Sequence, residues 1–494
     1  MRIETETDIE RLRQMALLQQ AELDRLHRRL VELTQELARA KGTDTDTLQL
    51  EIELLKEQLD NRTRELFAST SEKRSANGKA DKGSQPRHGH GPTEQLSLPI
   101  VEVIHPLDDA DKICPKCGGE LLEWNDQFEE AEEIDVVERS FRLIRHKRQK
   151  YRCQCGECIE TALGPPKLIP GGRYSVDFAV SVAVAKYADH LPLARQARQM
   201  ARAGLEIGTQ ALWDQINALA AHLEPTHDAL HDRVLGASVI AADETRWPLL
   251  GKPGSSKWHA WAVCSKDSIA YRILPSRSAD AGSLVLRDYT GTVVADGYTA
   301  YTTLQERAGP APFDLANCWI HCRRKFVKAE PHYPQAAEVL EKIGELYKIE
   351  AEVRPTDAEW CHKLSKLRRT KSAPIVKDIH KWLKSQRALP KSSLGNAIGY
   401  MLGLWPGLEK FLDNPDIPMD TNQVERGMRA LALGRKNHYG SRSHRGTRVA
   451  ALFYSLIESA KLTGVEPSAY LAEATRRAIA NPGTATLPTD IRPN

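Results

Sequence analysis

The chain has 494 residues, with 69 basic and 66 acidic side chains and a formal net charge of +3. This length suits about three domains, and the apolar and charged fractions are ordinary for a protein with a large core. The charge balance is too even to indicate nucleic-acid binding by itself. The first ten residues lack the apolar centre of a signal peptide, and no apolar run is long enough to span a bilayer. We therefore expect a cytoplasmic protein without a membrane partner.

Residues 1–68 predict a coiled coil for oligomerisation. Apolar residues from Ile9 to Ala40 recur at alternating four- and three-residue steps, and the repeat resumes in a shifted frame at Leu48. Such a seam favours a homo-oligomer. The alternative is an amphipathic helix that packs on its own chain. Residues 69–104 are polar and rich in Gly, Ser and Lys, which predicts a flexible linker.

Residues 105–170 predict a small zinc-binding domain. A CxxC pair is followed by a second cluster of cysteines, and the complete set is Cys114, Cys117, Cys153, Cys155 and Cys158. This pattern suits tetrahedral Zn²⁺ bound by four thiolates in a reducing compartment. The fourth ligand is open, because Cys155 with Cys158 makes the better pair and Cys153 is a rival. The segment between the clusters alternates and is rich in Arg and Lys, which predicts a basic hairpin.

Residues 171–235 predict a helical DNA-binding domain. Residues 174–190 read as one amphipathic helix. Two short helices follow around a turn at 204–208, with Thr209 as the N-cap of the second. This arrangement resembles a helix-turn-helix, and a generic helix hairpin is the alternative. Three arginines on the first short helix are expected to contact DNA: Arg195, Arg198 and Arg202.

An α/β ribonuclease-H-like catalytic core is predicted over residues 236–330 and 415–460. Three strand-like segments come first, and strands that alternate with helices follow, beginning with TVVAD. A meander followed by such an alternation is typical of that fold. Residues 331–414 lose the strand pattern and predict a helical insertion. Residues 461–494 predict a C-terminal helical tail.

Three acids in these segments predict a metal site. The apolar runs VIAA and VVA lead directly into Asp243 and Asp296, and Glu425 opens the last helix of the core. An apolar run suits a strand buried on both faces, which delivers the next carboxylate to the rim of the sheet. The first and fourth strands of such a fold are neighbours. We therefore expect the three acids to meet around Mg²⁺ or Mn²⁺ ions and to cut and join DNA.

Each acid also has a purely structural interpretation. Asp243 and Asp296 could be turn or cap residues. Glu244 is a rival to Asp243, but the next residue of a strand should point to the opposite face. Glu425 has the spacing of a capping box with Asn422, three residues before it.

The stretch after Glu425 carries charges of one sign. No Asp or Glu occurs between Arg426 and Ile457, although basic residues are frequent there. A block of this kind beside a metal site suits a phosphate backbone. Four of its members are expected to contact DNA: Arg426, Arg429, Arg435 and Lys436.

Several long motifs carry a family resemblance. They are LFASTSEK, CPKCGGEL, RHKRQKYRC, KYADHLPLARQ, ADET, ADGYTAY, CWIHCRRKF, ERGMRALALGRKN and SLIESAKLTGVEPSAYL. With these motifs, nearly the whole chain resembles a transposase of the insertion-sequence 66 family, of the Asp-Asp-Glu type.

The resemblance implies that Asp243, Asp296 and Glu425 form the metal-binding triad and that the cysteine clusters bind zinc. It also implies action on the terminal inverted repeats of a bacterial mobile element and on target DNA, association with the nucleoid when DNA is bound, and accessory proteins of the same element as a further class of partner. One alternative is a non-catalytic, zinc-containing DNA-binding regulator derived from a transposase. Another is a general nuclease that would cut without regard to terminal sequences.

Overall fold

The computed structural model describes residues 45–67, 116, 140–152, 159–250, 258–307 and 313–491, together with Arg25 and Glu32. The chain divides into two units, Met1–Arg64 with Phe141–Asn494 and, separately, Glu65–Ser140. Almost all of the second unit lies outside the described residues.

The described strands form a small hairpin and a larger sheet. They are β1 (Lys150–Arg152), β2 (Ile159–Thr161), β3 (Val239–Arg246), β4 (His259–Cys264), β5 (Ile269–Leu274), β6 (Thr292–Ala295) and β7 (Asp314–Asn317).

The described α-helices are numbered in chain order. They are α1 (Thr45–Phe67), α2 (Val176–Tyr187), α3 (Leu193–Arg202), α4 (Thr209–Leu235), α5 (Ala279–Leu286), α6 (Thr299–Arg307), α7 (Trp319–Ala329), α8 (Ala336–Glu350), α9 (Trp360–Leu367), α10 (Ala373–Ser385), α11 (Ser393–Gly403), α12 (Trp405–Leu408), α13 (Asn422–His438), α14 (His444–Leu462) and α15 (Pro467–Ala480).

The larger sheet has the strand order β5-β4-β3-β6-β7. The first three strands form an antiparallel meander, and β6 and β7 add to it in parallel. Val239 of β3 pairs with Thr292 of β6, so the first and fourth strands are neighbours as predicted. All four residues of β6 are buried, as expected for a strand covered on both faces. The meander, the strand TVVA and the later strand–helix pair are all confirmed.

Helix α14 covers the open edge of this sheet at β5. The hydroxyl of Ser455 accepts from the Tyr271 N–H at 2.8 Å, and the hydroxyl of Ser459 accepts from the Ile269 N–H at 2.9 Å. Ser459 also donates to the Ile269 carbonyl at 3.0 Å. Buried backbone groups on an edge strand need partners, and the α14 serines supply them. This arrangement fixes the meander against the C-terminal helices.

Helices α8 to α12 lie within residues 331–414, where the sequence predicts a helical insertion. Helices α8, α10, α11 and α12 pack with α7 in a core that also takes Val294 of β6 and Ala316 of β7. The Trp319 indole donates to the Leu408 carbonyl at 2.9 Å. The insertion therefore rests on the parallel half of the sheet.

The helices over 171–235 differ from the prediction in two ways. The second short helix is instead the 27-residue α4, and its N-cap is Gly208 rather than Thr209. Gly208 has the extended backbone of a cap, whereas Thr209 is already helical. In the second half of α4, His231 Nε2 lies 2.7 Å from the Val285 carbonyl oxygen. Residues of α2 and α4 also share a hydrophobic core with β3 to β5.

Helix α1 covers the end of the predicted coiled coil, and residues 1–44 lie outside the described residues apart from Arg25 and Glu32. The Glu57 carboxylate accepts from the Ser393 N–H of α11 at 3.0 Å, so α1 contacts the insertion. Leu55 and Leu59 are 62% and 52% exposed. Two residues of the predicted apolar seam are thus exposed, while a polar residue makes the described contact with the insertion. Oligomerisation stays a prediction.

All five predicted zinc ligands lie outside the described residues. Arg152 of β1 pairs with Ile159 of β2, so the second cysteine cluster falls within the connection between two paired strands. The predicted basic hairpin is misplaced, because residues 140–149 form no strand. None of the described helices is both long and apolar enough to cross a membrane.

Candidate active site

Asp243 lies in β3, opposite Ala262 of β4. Its Oδ1 accepts from the Glu244 N–H at 2.8 Å. Burial is the main cause that raises the pKa of Asp243 to about 7, and the negative charges of Glu244, Asp296 and Glu425 contribute to this rise. The structure therefore brings the predicted triad into electrostatic contact around one carboxyl group.

Asp296 directly follows β6 in a tightly held turn. Its Oδ1 accepts from the Tyr298 N–H at 2.9 Å, and its carbonyl accepts from Asn317 Nδ2 at 3.3 Å. The Gly297 N–H donates to the Tyr400 hydroxyl at 3.0 Å. A Cβ atom at Gly297 would lie 2.6 Å from that hydroxyl oxygen, so only glycine fits there. The insertion helix α11 thus touches the turn that carries Asp296.

Glu425 lies in the first turn of α13, and its carboxylate faces side chains of α7. Arg324 donates to Oε2 at 2.7 Å, and His321 Nε2 lies 3.7 Å from Oε1. The capping-box interpretation is wrong: the N-cap is Thr421, so the third helical position is Val424. The Thr421 N–H donates instead to a cysteine sulfur. The carboxylate is therefore not needed to cap its own helix.

Helix α13 approaches the sheet closely on the side of β5. A Cβ atom at Gly427 would lie 2.5 Å from Ile269 Cδ1 and 2.7 Å from the Tyr271 hydroxyl. Towards the other end of the helix, Arg435 donates to the Arg246 carbonyl, just beyond Asp243 on β3. These contacts hold the helix of Glu425 against the strand of Asp243.

Next to Asp243, the buried Glu244 forms an ion pair with the partly exposed Arg277, which the sequence did not reveal. Glu244 points away from Asp243, as predicted, and its side chain is 1% exposed. Arg277 donates twice to Glu244 Oε1, at 2.8 and 2.5 Å, and the Tyr301 hydroxyl donates to Oε2 at 2.7 Å. The Arg277 guanidinium also lies 3.8 Å from the centroid of the Tyr298 ring. The motifs ADET and ADGYTAY contain three of these residues, but nothing in the sequence pairs them with Arg277.

The donor set suits a hard divalent cation. Like-charged carboxylates that converge on a half-buried group favour a bound cation, and Mg²⁺ needs only one or two protein carboxylates beside its waters. Within the described part of the chain, however, no three acidic, His or Cys side chains are close enough to hold an ion as they stand. Asp243 and Asp296 would hold the cation, and Glu425 would join after leaving Arg324.

The predicted DNA-contacting residues divide into two groups. Most are exposed side chains on α3 and α13, namely Arg195, Arg198, Arg202, Arg426, Arg429 and Lys436. Arg435 is half-buried and bonded to β3. The exposed group is placed where a DNA backbone can reach it, and the role of each residue stays a prediction.

Comparisons with known proteins agree with this architecture. Residues 171–449 match the family model described as transposase IS66 family, and residues 111–156 match the zinc-finger binding domain of transposase IS66. The chain is 33% identical to the uncharacterized protein y4jD of Sinorhizobium fredii, over 78% of each chain. It is also 33% identical to the uncharacterized protein y4qI of the same organism, over 82% of this chain and 76% of that one. The chain therefore belongs to the IS66 transposase family and combines that family's transposase domain with its zinc-finger domain.

Proposed function

We propose that this protein is an active Asp-Asp-Glu transposase that binds the terminal inverted repeats of a mobile element and cleaves and transfers its DNA strands with divalent metal ions. The observation that carries the proposal is the convergence of Asp243, Asp296 and Glu425. They come from β3, the end of β6 and the start of α13, and the charges of the other two act on the Asp243 carboxyl.

The chain's own residues support phosphodiester chemistry by placing carboxylates at one edge of a rigid sheet. A bound Mg²⁺ or Mn²⁺ would activate the attacking oxygen and stabilise the leaving oxygen. Asp243 and Asp296 hold fixed positions because their backbones belong to β3 and to the braced turn after β6. Water attack at the element end would release a 3′-hydroxyl, and that hydroxyl would attack a phosphodiester of the target DNA.

DNA would lie along the exposed basic side chains of α13 and reach the arginines of α3. Arg426 and Arg429 are exposed one helical turn apart, directly after Glu425. Their guanidinium groups suit phosphate oxygens. For Arg435 we propose a different role, which is to hold α13 on β3.

Zinc would be held by Cys114, Cys117 and two cysteines of the second cluster. The range that matches the zinc-finger model ends at residue 156, so it includes Cys153 and Cys155 and leaves out Cys158. This supports Cys153 and Cys155 as the second pair. Zinc analysis of Cys153→Ser and Cys158→Ser separates the two choices, because only the loss of a ligand opens a closed structural site.

The proposed activity is tested by a cleavage assay on inverted-repeat DNA with Mg²⁺. Glu425→Gln, Asp243→Asn and Asp296→Asn should each abolish cleavage while end binding and the melting temperature stay close to wild type. The losses should not add, because each change disables the same site. Asp288→Asn is the matched control, since Asp288 is an exposed acid outside the site. Wild-type cleavage by any triad variant would contradict the proposal.

A non-catalytic DNA-binding regulator is the second candidate. It is favoured by the ion pair between Arg324 and Glu425 and by the lack of a ready three-residue metal group among the described side chains. A regulator should bind end-bearing DNA and leave it intact at every Mg²⁺ or Mn²⁺ concentration. The same assay therefore separates the two candidates.

A further inference from the structure

The carboxylate of Glu425 already has a cationic partner from the chain itself. Arg324 of α7 donates from Nη2 to Oε2 at 2.7 Å, and its Nη1 lies 3.3 Å from His321 Nε2. The side chain of Glu425 is 20% exposed and that of Arg324 is 51% exposed. The carboxylate is therefore mostly buried, while the guanidinium remains accessible from solvent.

We propose that Arg324 takes the place of the divalent cation at Glu425 in the free protein and moves to a DNA phosphate when the cation binds. This inference rests on the proposed function. A guanidinium forms the same forked hydrogen bonds with a carboxylate as with a phosphate, so one residue can serve both partners. An ion pair with one half-exposed member is weak enough to exchange.

The charges around Glu425 explain why its carboxylate binds a cationic side chain when no divalent ion is present. Its negative charge acts on Asp243 together with that of Asp296. Like-charged carboxylates repel one another in the absence of a counter-ion. Among the described residues, Arg324 is the permanently charged cation bonded to Glu425. When a divalent ion replaces Arg324 at Glu425, Arg324 would be free to bind the DNA strand. The same replacement would make the site able to cleave.

Neighbouring cations on α7 provide the contrast. The Lys325 ammonium lies 4.2 Å from the centroid of the Tyr400 ring and so has a different partner. Lys328 is exposed one turn beyond Arg324 and forms no ion pair with Glu425 in the described structure. Lys328→Gln therefore removes the same charge from the same helix without touching the acid.

The test measures Mn²⁺ affinity of the full chain without DNA, beside cleavage of inverted-repeat DNA. Arg324→Gln should bind Mn²⁺ about three- to tenfold more tightly, the range expected when a partly exposed ion pair no longer competes. The same variant should lose at least about tenfold in cleavage, because a phosphate contact is missing. Lys328→Gln should change neither quantity. A structural role alone would weaken both binding and cleavage in Arg324→Gln.

Glu425→Gln distinguishes a failure of the inference on Arg324 from a failure of the proposed function. If it abolishes Mn²⁺ binding at this site while Arg324→Gln leaves the affinity unchanged or weaker, the inference on Arg324 is overturned and the proposed function stands. If Glu425→Gln leaves both Mn²⁺ binding and cleavage unchanged, the proposed function falls as well. Should Arg324→Gln melt early, Arg324→Lys replaces it. That variant keeps the charge but replaces the guanidinium with an ammonium group. It should tighten Mn²⁺ binding by a smaller factor, and unchanged affinity would overturn the inference.

Discussion

Replacement of Glu244 by glutamine tests how the fold positions β3, the strand that carries Asp243. Glu244 is almost fully buried and accepts two hydrogen bonds from Arg277 and one from Tyr301. Glutamine has the same shape as glutamate but no charge. Its NH₂ group is a donor, so it could not accept a hydrogen bond from Arg277 or Tyr301. Hydrogen bonds to charged groups contribute about 1.5–3 kcal/mol each. Arg277 is 42% exposed and can return to water, which reduces the cost.

The expected destabilisation is therefore about 2 kcal/mol, which lowers the melting temperature by ~4 °C in a large unit. Metal binding should also change. Glu244 is one of the charges that raise the pKa of Asp243, so the variant should ionise Asp243 at lower pH and bind Mn²⁺ better at pH 6 than wild type does.

The assay combines a thermal melt with Mn²⁺ titrations at several pH values for Glu244→Gln, Arg277→Gln and the double variant. The double variant should lose less stability than the two single losses together, because both changes break the same pair. Additive losses, or a pH profile of Mn²⁺ binding identical to wild type, would refute the idea that this pair acts on the catalytic strand.

Three further predictions follow from the same structure. Since the pKa of Asp243 is raised to about 7 and only the ionised form binds a cation, Mn²⁺ affinity should fall as pH drops from 8 to 6, and a flat titration would contradict this. Cys114→Ser should release zinc, whereas Cys361→Ser, which alters a described free thiol, should retain it, and equal zinc contents would refute the assignment. Polar substitutions at the exposed Leu55 and Leu59 should weaken self-association in sedimentation, and an unchanged oligomer would remove them from the interface.

The strands β3 and β6 could be predicted because the apolar pattern of a buried strand is a local property of the sequence. A strand buried on both faces must be apolar throughout, so the runs before Asp243 and Asp296 mark both strands. Asp296 directly follows β6 as predicted, but β3 continues past Asp243 to Arg246, so the expectation that Asp243 ends its strand is wrong. The adjacency of β3 and β6 then follows from the fold type and is observed.

Where the sequence did not predict the structure, the cause is an interaction between residues far apart in the chain. Pro225 removes a backbone donor and normally ends a helix, yet α4 continues through it to Leu235. The second half of α4 packs in a hydrophobic core shared with the sheet, and His227 Nε2 lies 3.3 Å from the Tyr271 carbonyl oxygen of β5. This packing outweighs that local signal. The pairs Arg277–Glu244 and Arg324–Glu425 join residues far apart in sequence, so no spacing rule could have found them.

The central claim is that Asp243, Asp296 and Glu425 hold the divalent cation that acts on DNA. It is tested most directly by anomalous diffraction from crystals of the protein with inverted-repeat DNA and Mn²⁺. We expect a manganese peak within ligand distance of the Asp243 and Asp296 carboxylates. Glu425 should be turned towards this peak, and the guanidinium of Arg324 should contact a phosphate. A map without manganese at this edge of the sheet, with Glu425 still paired to Arg324 beside bound DNA, would contradict it.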